Sequence, residues 1–107
     1  MVKIDVQKLM KGGIKMDFGK LYFTKGINHA IDERITFSRF IVKSLVKYGM
    51  NDWGDICEED KEMNDLSVQN NDGRVVARYK HSNRDIYIIT DIQGDDWNTT
   101  VLFCDEY

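Results

Sequence analysis

NNDGRVVARYKHSNRDIYIITDIQGDDWNTTVLFC, residues 70–104, is the stretch whose reading decides the fold. Asn70-Asn71-Asp72-Gly73 is a turn signal, because Asn, Asp and Gly accept local bends and left-handed backbone that other side chains resist. Three short runs rich in β-branched and aromatic residues follow, at 74–80, 86–91 and 99–104, and each reads as a strand. The polar segments between them, 81–85 and 93–98, are of hairpin length. An antiparallel meander is the simplest topology. In the last two strands Ile86 and Ile88 alternate with Tyr87 and Ile89, and Val101 and Phe103 with Leu102 and Cys104. Apolar groups therefore stand on both faces, unlike a sheet with one face in water. Helices cover one face. The other calls for the N-terminal segment, a second copy of the chain, or a different partner.

Working towards the N-terminus, residues 56–68 read as a helix. Asp55 precedes it and Glu58 follows three residues later, in the form of a capping box, and acids crowd the first turn where the helix dipole favours them. Its apolar side is thin: Ile56, Met63 and Leu66, with Cys57 as a further candidate. A stronger helix lies before it. Phe37, Phe40, Ile41, Leu45 and Tyr48 recur at helical spacing, Thr36 is placed to N-cap, and Gly49 is placed to end the helix at C′. Residues 27–34 add a helical turn. Leu21-Tyr22-Phe23-Thr24 reads as a strand stopped by Lys25-Gly26. At the start, Val6, Leu9 and Met10 line one side of a short helix ended by Gly12-Gly13, or the segment frays as a tail.

The expected fold is therefore α+β: an antiparallel sheet of about four strands, with two main helices inserted between strand 1 and strands 2–4. The 107 residues fit one domain, with 1–18 as a short helix or flexible extension. No proline occurs, so polyproline segments and cis-proline turns are excluded. The lysine-bearing opening has no apolar stretch of signal-peptide type, and no window approaches a membrane span. The two cysteines, Cys57 and Cys104, lie far apart without CxxC spacing, which fits a reduced, cytoplasmic setting.

Charge is more telling in its distribution than in its total of −3. Residues 1–48 carry ten Lys or Arg against four Asp or Glu, and residues 49–107 carry five against fourteen. Within 52–65 stand seven acids and one base, Lys61. Such a run is either a solvated helix face or an acidic surface that meets a basic partner.

Few patterns point to chemistry. His29 and His81 show no metal-ligand spacing; His81 reads as surface in a hairpin turn and His29 as structural. No GxGxxG or P-loop occurs, and residues 91–96 lack the ligands of an EF-hand. No cofactor is expected. Asp55, Glu58 and Asp60, with Trp53 as a cover, are the one carboxylate cluster that suits a divalent metal or acid–base work. Tyr22 and Phe23 among Lys15, Lys20 and Lys25 have the makings of a nucleic-acid platform. The isoelectric point near 5.3 argues against phosphate, so these aromatics are assigned to core packing and no direct nucleic-acid binding is expected.

The segment DWGDICEEDKEMND (52–65), followed by RVVARY (74–79), IYIITD (86–91) and the ending TTVLFCDEY (99–107), resembles a family of small bacterial proteins often labelled "plasmid-related", some carrying a restriction-system subunit label. TKGI (24–27) and the helix before Gly49 belong to the resemblance, which covers roughly residues 20–107. The chain departs from that pattern in Cys104, where proline is common, in its longer lysine-rich start, and in the turn at 94–97. The resemblance implies a mobile-element setting, in which small acidic proteins inhibit host defence nucleases, as anti-CRISPR and anti-restriction proteins do. Two functions follow. The first is a non-enzymatic binding inhibitor that offers Glu58, Glu59, Glu62 and Asp65 to a basic, nucleic-acid-handling partner, with Asp52-Trp53-Gly54-Asp55 as a structural turn. The second is a small metal-dependent enzyme or accessory factor using Asp55, Glu58 and Asp60.

Overall fold

The computed structural model describes residues 17–107. Its elements run β1 (Lys20–Phe23), α1 (Lys25–Glu33), α2 (Ile35–Gly49), α3 (Glu58–Asn70), β2 (Asp72–Tyr79), β3 (Ile86–Gln93) and β4 (Asp96–Phe103), closed by a 3-10 turn, Cys104–Glu106. The α+β class and the β2-β3-β4 meander are as the sequence predicts. The sheet is mixed, however: in the order β1-β4-β3-β2, β1 pairs with β4 in parallel. Strands β2, β3 and β4 alternate in direction, so β4 runs parallel to β2; β1 reaches β2 by a helical crossover and packs beside β4 in that same direction.

Cross-strand pairing sorts the side chains. Facing the helices are the rows Tyr79, Ile86, Phe103; Ala77, Ile88, Val101, Phe23; and Val75, Thr90, Thr99, Leu21. Phe37, Ile41, Leu45 and Tyr48 of α2, and Ile27 and Ile31 of α1, are buried in the same core. The turn expected at 27–34 is thus a full helix, N-capped by the Thr24 hydroxyl, which accepts from the Ile27 N–H at 3.3 Å.

A polar chain crosses this core. Thr99 Oγ1 donates to the Phe18 carbonyl (2.6 Å), which can only accept, so Thr90 Oγ1 must donate to Thr99 (2.7 Å) and the Tyr48 hydroxyl to Thr90 (2.6 Å). Burial pushes the Tyr48 hydroxyl well above its ordinary pKa, which keeps that donor protonated.

The second face carries the rows Arg78, Tyr87, Leu102; Val76, Ile89, Thr100, Tyr22; and Arg74, Asp91, Asn98, Lys20. Ile89 and Leu102 are buried, Val76 and Tyr87 half-buried, and Tyr22 exposed. Phe23 alone of the two aromatics expected in the core reaches it. The Tyr107 ring meets Tyr87 edge-on, with centroids 5.6 Å apart. The expected short helix at the N-terminus, and Lys15 with it, lie outside the described residues. Phe18 packs on the core face instead, stacked on Tyr48 at 5.9 Å.

Helix ends differ from expectation. Arg34, not Thr36, occupies the N-cap of α2, without a side-chain bond. Gly49 is helical, and the left-handed residue is Asn51 (φ 62). Among the described residues, no helix is long and apolar enough to cross a membrane.

Candidate functional site

Strand β2 is a sheet edge, and an edge strand presents unpaired N–H and C=O groups to any passing chain. Two devices satisfy them here. The buried Asn64 side chain of α3 behaves as a strand backbone would: its Nδ2 donates to the Val76 carbonyl (2.9 Å) and its Oδ1 accepts the Val76 N–H (3.2 Å). One step along, the 52–55 turn bridges Arg78 in parallel. The Arg78 N–H donates to the Trp53 carbonyl (3.2 Å), and the Asp55 N–H to the Arg78 carbonyl (2.7 Å).

Each member of the turn has a task. Asp52 Oδ1 accepts the Gly54 N–H (3.1 Å), and its carbonyl accepts the Tyr79 hydroxyl (2.6 Å). The Trp53 ring is 2% exposed, lies edge-on to Tyr48 at 5.3 Å, and donates Nε1–H to Asp65 Oδ1 at 2.9 Å. Gly54 has φ 76, and a Cβ there would collide with the Arg78 carbonyl oxygen. Asp55 was expected to cap the helix; its carboxylate instead meets Lys80 Nζ at 3.0 Å. The helix starts later than the capping box supposed, with Cys57 at the N-cap and no side-chain bond. Glu58, Glu59 and Asp60 fill the first turn, where the partial positive charge of the exposed N–H groups stabilises them.

Of the apolar stripe expected here, Ile56 packs against the core, while Cys57, Met63 and Leu66 face outward. Met63 and Leu66 are 60% and 48% exposed, and the buried position is Asn64. Because the helix packs against a strand edge rather than a sheet face, it needs an amide where a hydrophobe would ordinarily stand.

The C-terminal turn is fastened in a similar way. Glu106 Oε1 accepts from the Thr24 hydroxyl (2.9 Å) and the Phe103 N–H (2.8 Å), and a Cβ on Gly26 would come within 2.9 Å of Glu106 Oε2. The Glu106 side-chain carboxylate thereby ties the 3-10 turn to the N-terminus of α1. Arg84 forks onto Asp105 (3.0 and 2.8 Å) while lying 3.5 Å over the Phe103 ring. Arg78 likewise grips Asp85 Oδ2 (3.1 and 2.7 Å), and its guanidinium holds the Asp85 carboxyl below the usual carboxylate range.

The partner-binding carboxylates fare unequally. Glu58, Glu59, Glu62 and Asp65 are all exposed, but Asp65 is engaged by the Trp53 indole and Glu58 by Lys61 at 3.2 Å. Glu59, Asp60 and Glu62 make no ion pair or side-chain hydrogen bond among the described residues. On the helical wheel Leu66 lies between Glu59 and Glu62, with Met63 beside them. The metal set is not brought together: Asp55 turns to Lys80 and Glu58 to Lys61, and among the described residues no three His, Cys, Asp or Glu side chains converge on a common point. His81, expected on the surface, is half-buried and stacks on Phe40 at 4.3 Å, and His29 pairs with Glu33 at 3.2 Å. A groove of about 550 Å³ runs between the start of α3 and the second sheet face, walled by Ile56, Met63, Val76 and Tyr87, with Arg74 and Asp60 at its margins. Compared with family models, curated proteins and solved structures, the chain matches none.

Proposed function

We propose that this chain is a non-enzymatic binding protein of the cytoplasm, an inhibitor carried on mobile elements that lays the outer face of α3 on a basic surface of a host nuclease of the CRISPR or restriction type. The observation that carries this reading is the exposed set Glu59, Asp60 and Glu62, unpaired among the described residues, around the exposed Leu66 and Met63. Carboxylates without partners among the described residues are available to an outside cation, and an apolar centre with a charged rim is how protein interfaces are built. The −9 balance of residues 49–107 and the resemblance to plasmid-related proteins point the same way. Asp65 leaves the binding set, since its carboxylate serves Trp53, and Asp60 joins it. The inhibitor would present carboxylates where a nuclease expects phosphates.

The test is capture of the partner from host lysate, followed by titration of the purified pair against salt. Charge reversal in Glu59→Lys/Glu62→Lys should abolish capture while the melting temperature stays near wild type, and wild-type affinity should fall as salt rises. Capture that survives the double reversal would make α3 a solvated face and end this reading.

A further inference from the structure

We infer that the cleft between α2 and the far end of β2 binds the phosphodiester backbone of a single-stranded nucleic acid. Helix α2 has no acidic residue anywhere in Ile35–Gly49, and its solvent face carries Arg39, Lys43 and Lys47 at intervals of four. Successive members stand about 6 Å apart along the axis, one helical turn each, so the three form a linear array of charge. None of them makes an ion pair among the described residues, in contrast to Arg74, Arg78 and Arg84, which are each tied to an aspartate. Lys43 and Lys47 line a cleft of about 490 Å³ whose opposite wall holds Lys80 and Arg78, already paired with Asp55 and Asp85, so the unpaired cations of the cleft are those of α2; among the described residues Asp55 is the one carboxylate that lines it.

An aromatic ledge adjoins the cations. Phe40 lines the cleft, and the His81 ring is stacked on it at 4.3 Å, both rings half-buried. Cations that track a backbone beside rings that receive bases are the elements of single-strand recognition. The low isoelectric point is not an objection. Salt screens charge beyond roughly 10 Å, so a phosphate in this cleft responds to the local cations and not to the total. An acidic protein surface would satisfy the lysines alone and leave the ledge unused. The inference is independent of the α3 reading, because it rests on other residues and another ligand.

The experiment is fluorescence anisotropy of a labelled oligothymidylate of about twenty nucleotides with the full chain, beginning near 50 mM salt. Wild type should bind, with affinity falling steeply in salt. Lys43→Ala/Lys47→Ala should bind at least roughly tenfold more weakly, with a log–log salt slope shallower by about 1.4, or 0.7 for each lost single-strand phosphate contact. Lys43→Arg/Lys47→Arg should retain binding, and Glu59→Lys/Glu62→Lys should not weaken it. Absence of binding by wild type, or equal binding by the alanine pair with an unchanged melt, overturns the inference. So does displacement by polyglutamate as efficient as by unlabelled strand, which would assign the cleft to acidic proteins, or equal affinity for a duplex of the same length, which would remove the ledge.

Discussion

The turn at 52–55 with Asn64 and the outer faces of α2 and α3 lie within a short stretch of chain, yet they use their polar groups in opposite ways. In the first region nearly every distinctive group is engaged: the Trp53 indole by Asp65, the Asn64 amide by Val76, the Asp52 carboxylate by Gly54. In the second, Lys43 and Lys47 on one helix and Glu59 and Glu62 on the other have no internal partner among the described residues. A residue chemically suited to a precise task, such as an amide that both donates and accepts, is more informative about folding here than about binding. The plain charges left over are what another molecule can meet.

That contrast is breakable by mutation, and the largest effect belongs to the first region. Trp53→Ala should cost about 3–5 kcal/mol, the range for deleting a large buried aromatic, measured by urea unfolding. Asn64→Ala leaves the Val76 N–H and carbonyl without partners and should cost about 2 kcal/mol or more, with increased self-association as the edge opens. A smaller, pH-dependent effect attaches to Asp85. Its carboxyl is held low by Arg78, so the pair adds stability above the ordinary carboxylate pKa of about 3.9 and loses it as pH falls through the lowered folded value. Asp85→Asn should therefore destabilise at pH 7, and its deficit should shrink on acidification. Smallest of all, Glu59→Lys/Glu62→Lys should shift stability by within about 0.5 kcal/mol. A large loss there, or a negligible one at Asn64, would erase the distinction between the two regions.

Much of the fold was legible because it follows period and turn chemistry. The face Phe37, Ile41, Leu45, Tyr48 is buried as its spacing requires, and the meander follows from three strand runs and their short polar connections. The connection between β3 and β4 is a two-residue turn at Gly94-Asp95, tighter than the 93–98 segment suggested; Gly94 has φ 58, as the first position of a II′ hairpin turn demands. The parallel placement of β1 was not legible, since direction within a sheet is set by tertiary packing and not by a strand's own side chains. Helix α3 misled for a physical reason. Periodicity assumes that a helix buries hydrophobes, and this one buries an amide against a strand edge, leaving Met63 and Leu66 outside.

The candidate site was legible in part. The acidic run marked α3, but sequence alone could not show that Asp65 faces Trp53 or that Asp55 faces Lys80, because both pairings join segments across turns. The array Arg39, Lys43, Lys47 has a signal in the sequence: no acid separates Glu33 from Asp52, and the three cations fall at intervals of four.

The division between closing residues and binding faces is tested most directly by amide hydrogen exchange at Val76 in wild type, in Asn64→Ala and in Glu59→Lys/Glu62→Lys. The Val76 N–H should be protected in wild type and in the charge-reversed chain, and should exchange far faster in Asn64→Ala while Ile88, paired inside the sheet, stays protected. A Val76 amide that remains protected without the Asn64 side chain would contradict the role given to that residue in closing the edge of the sheet.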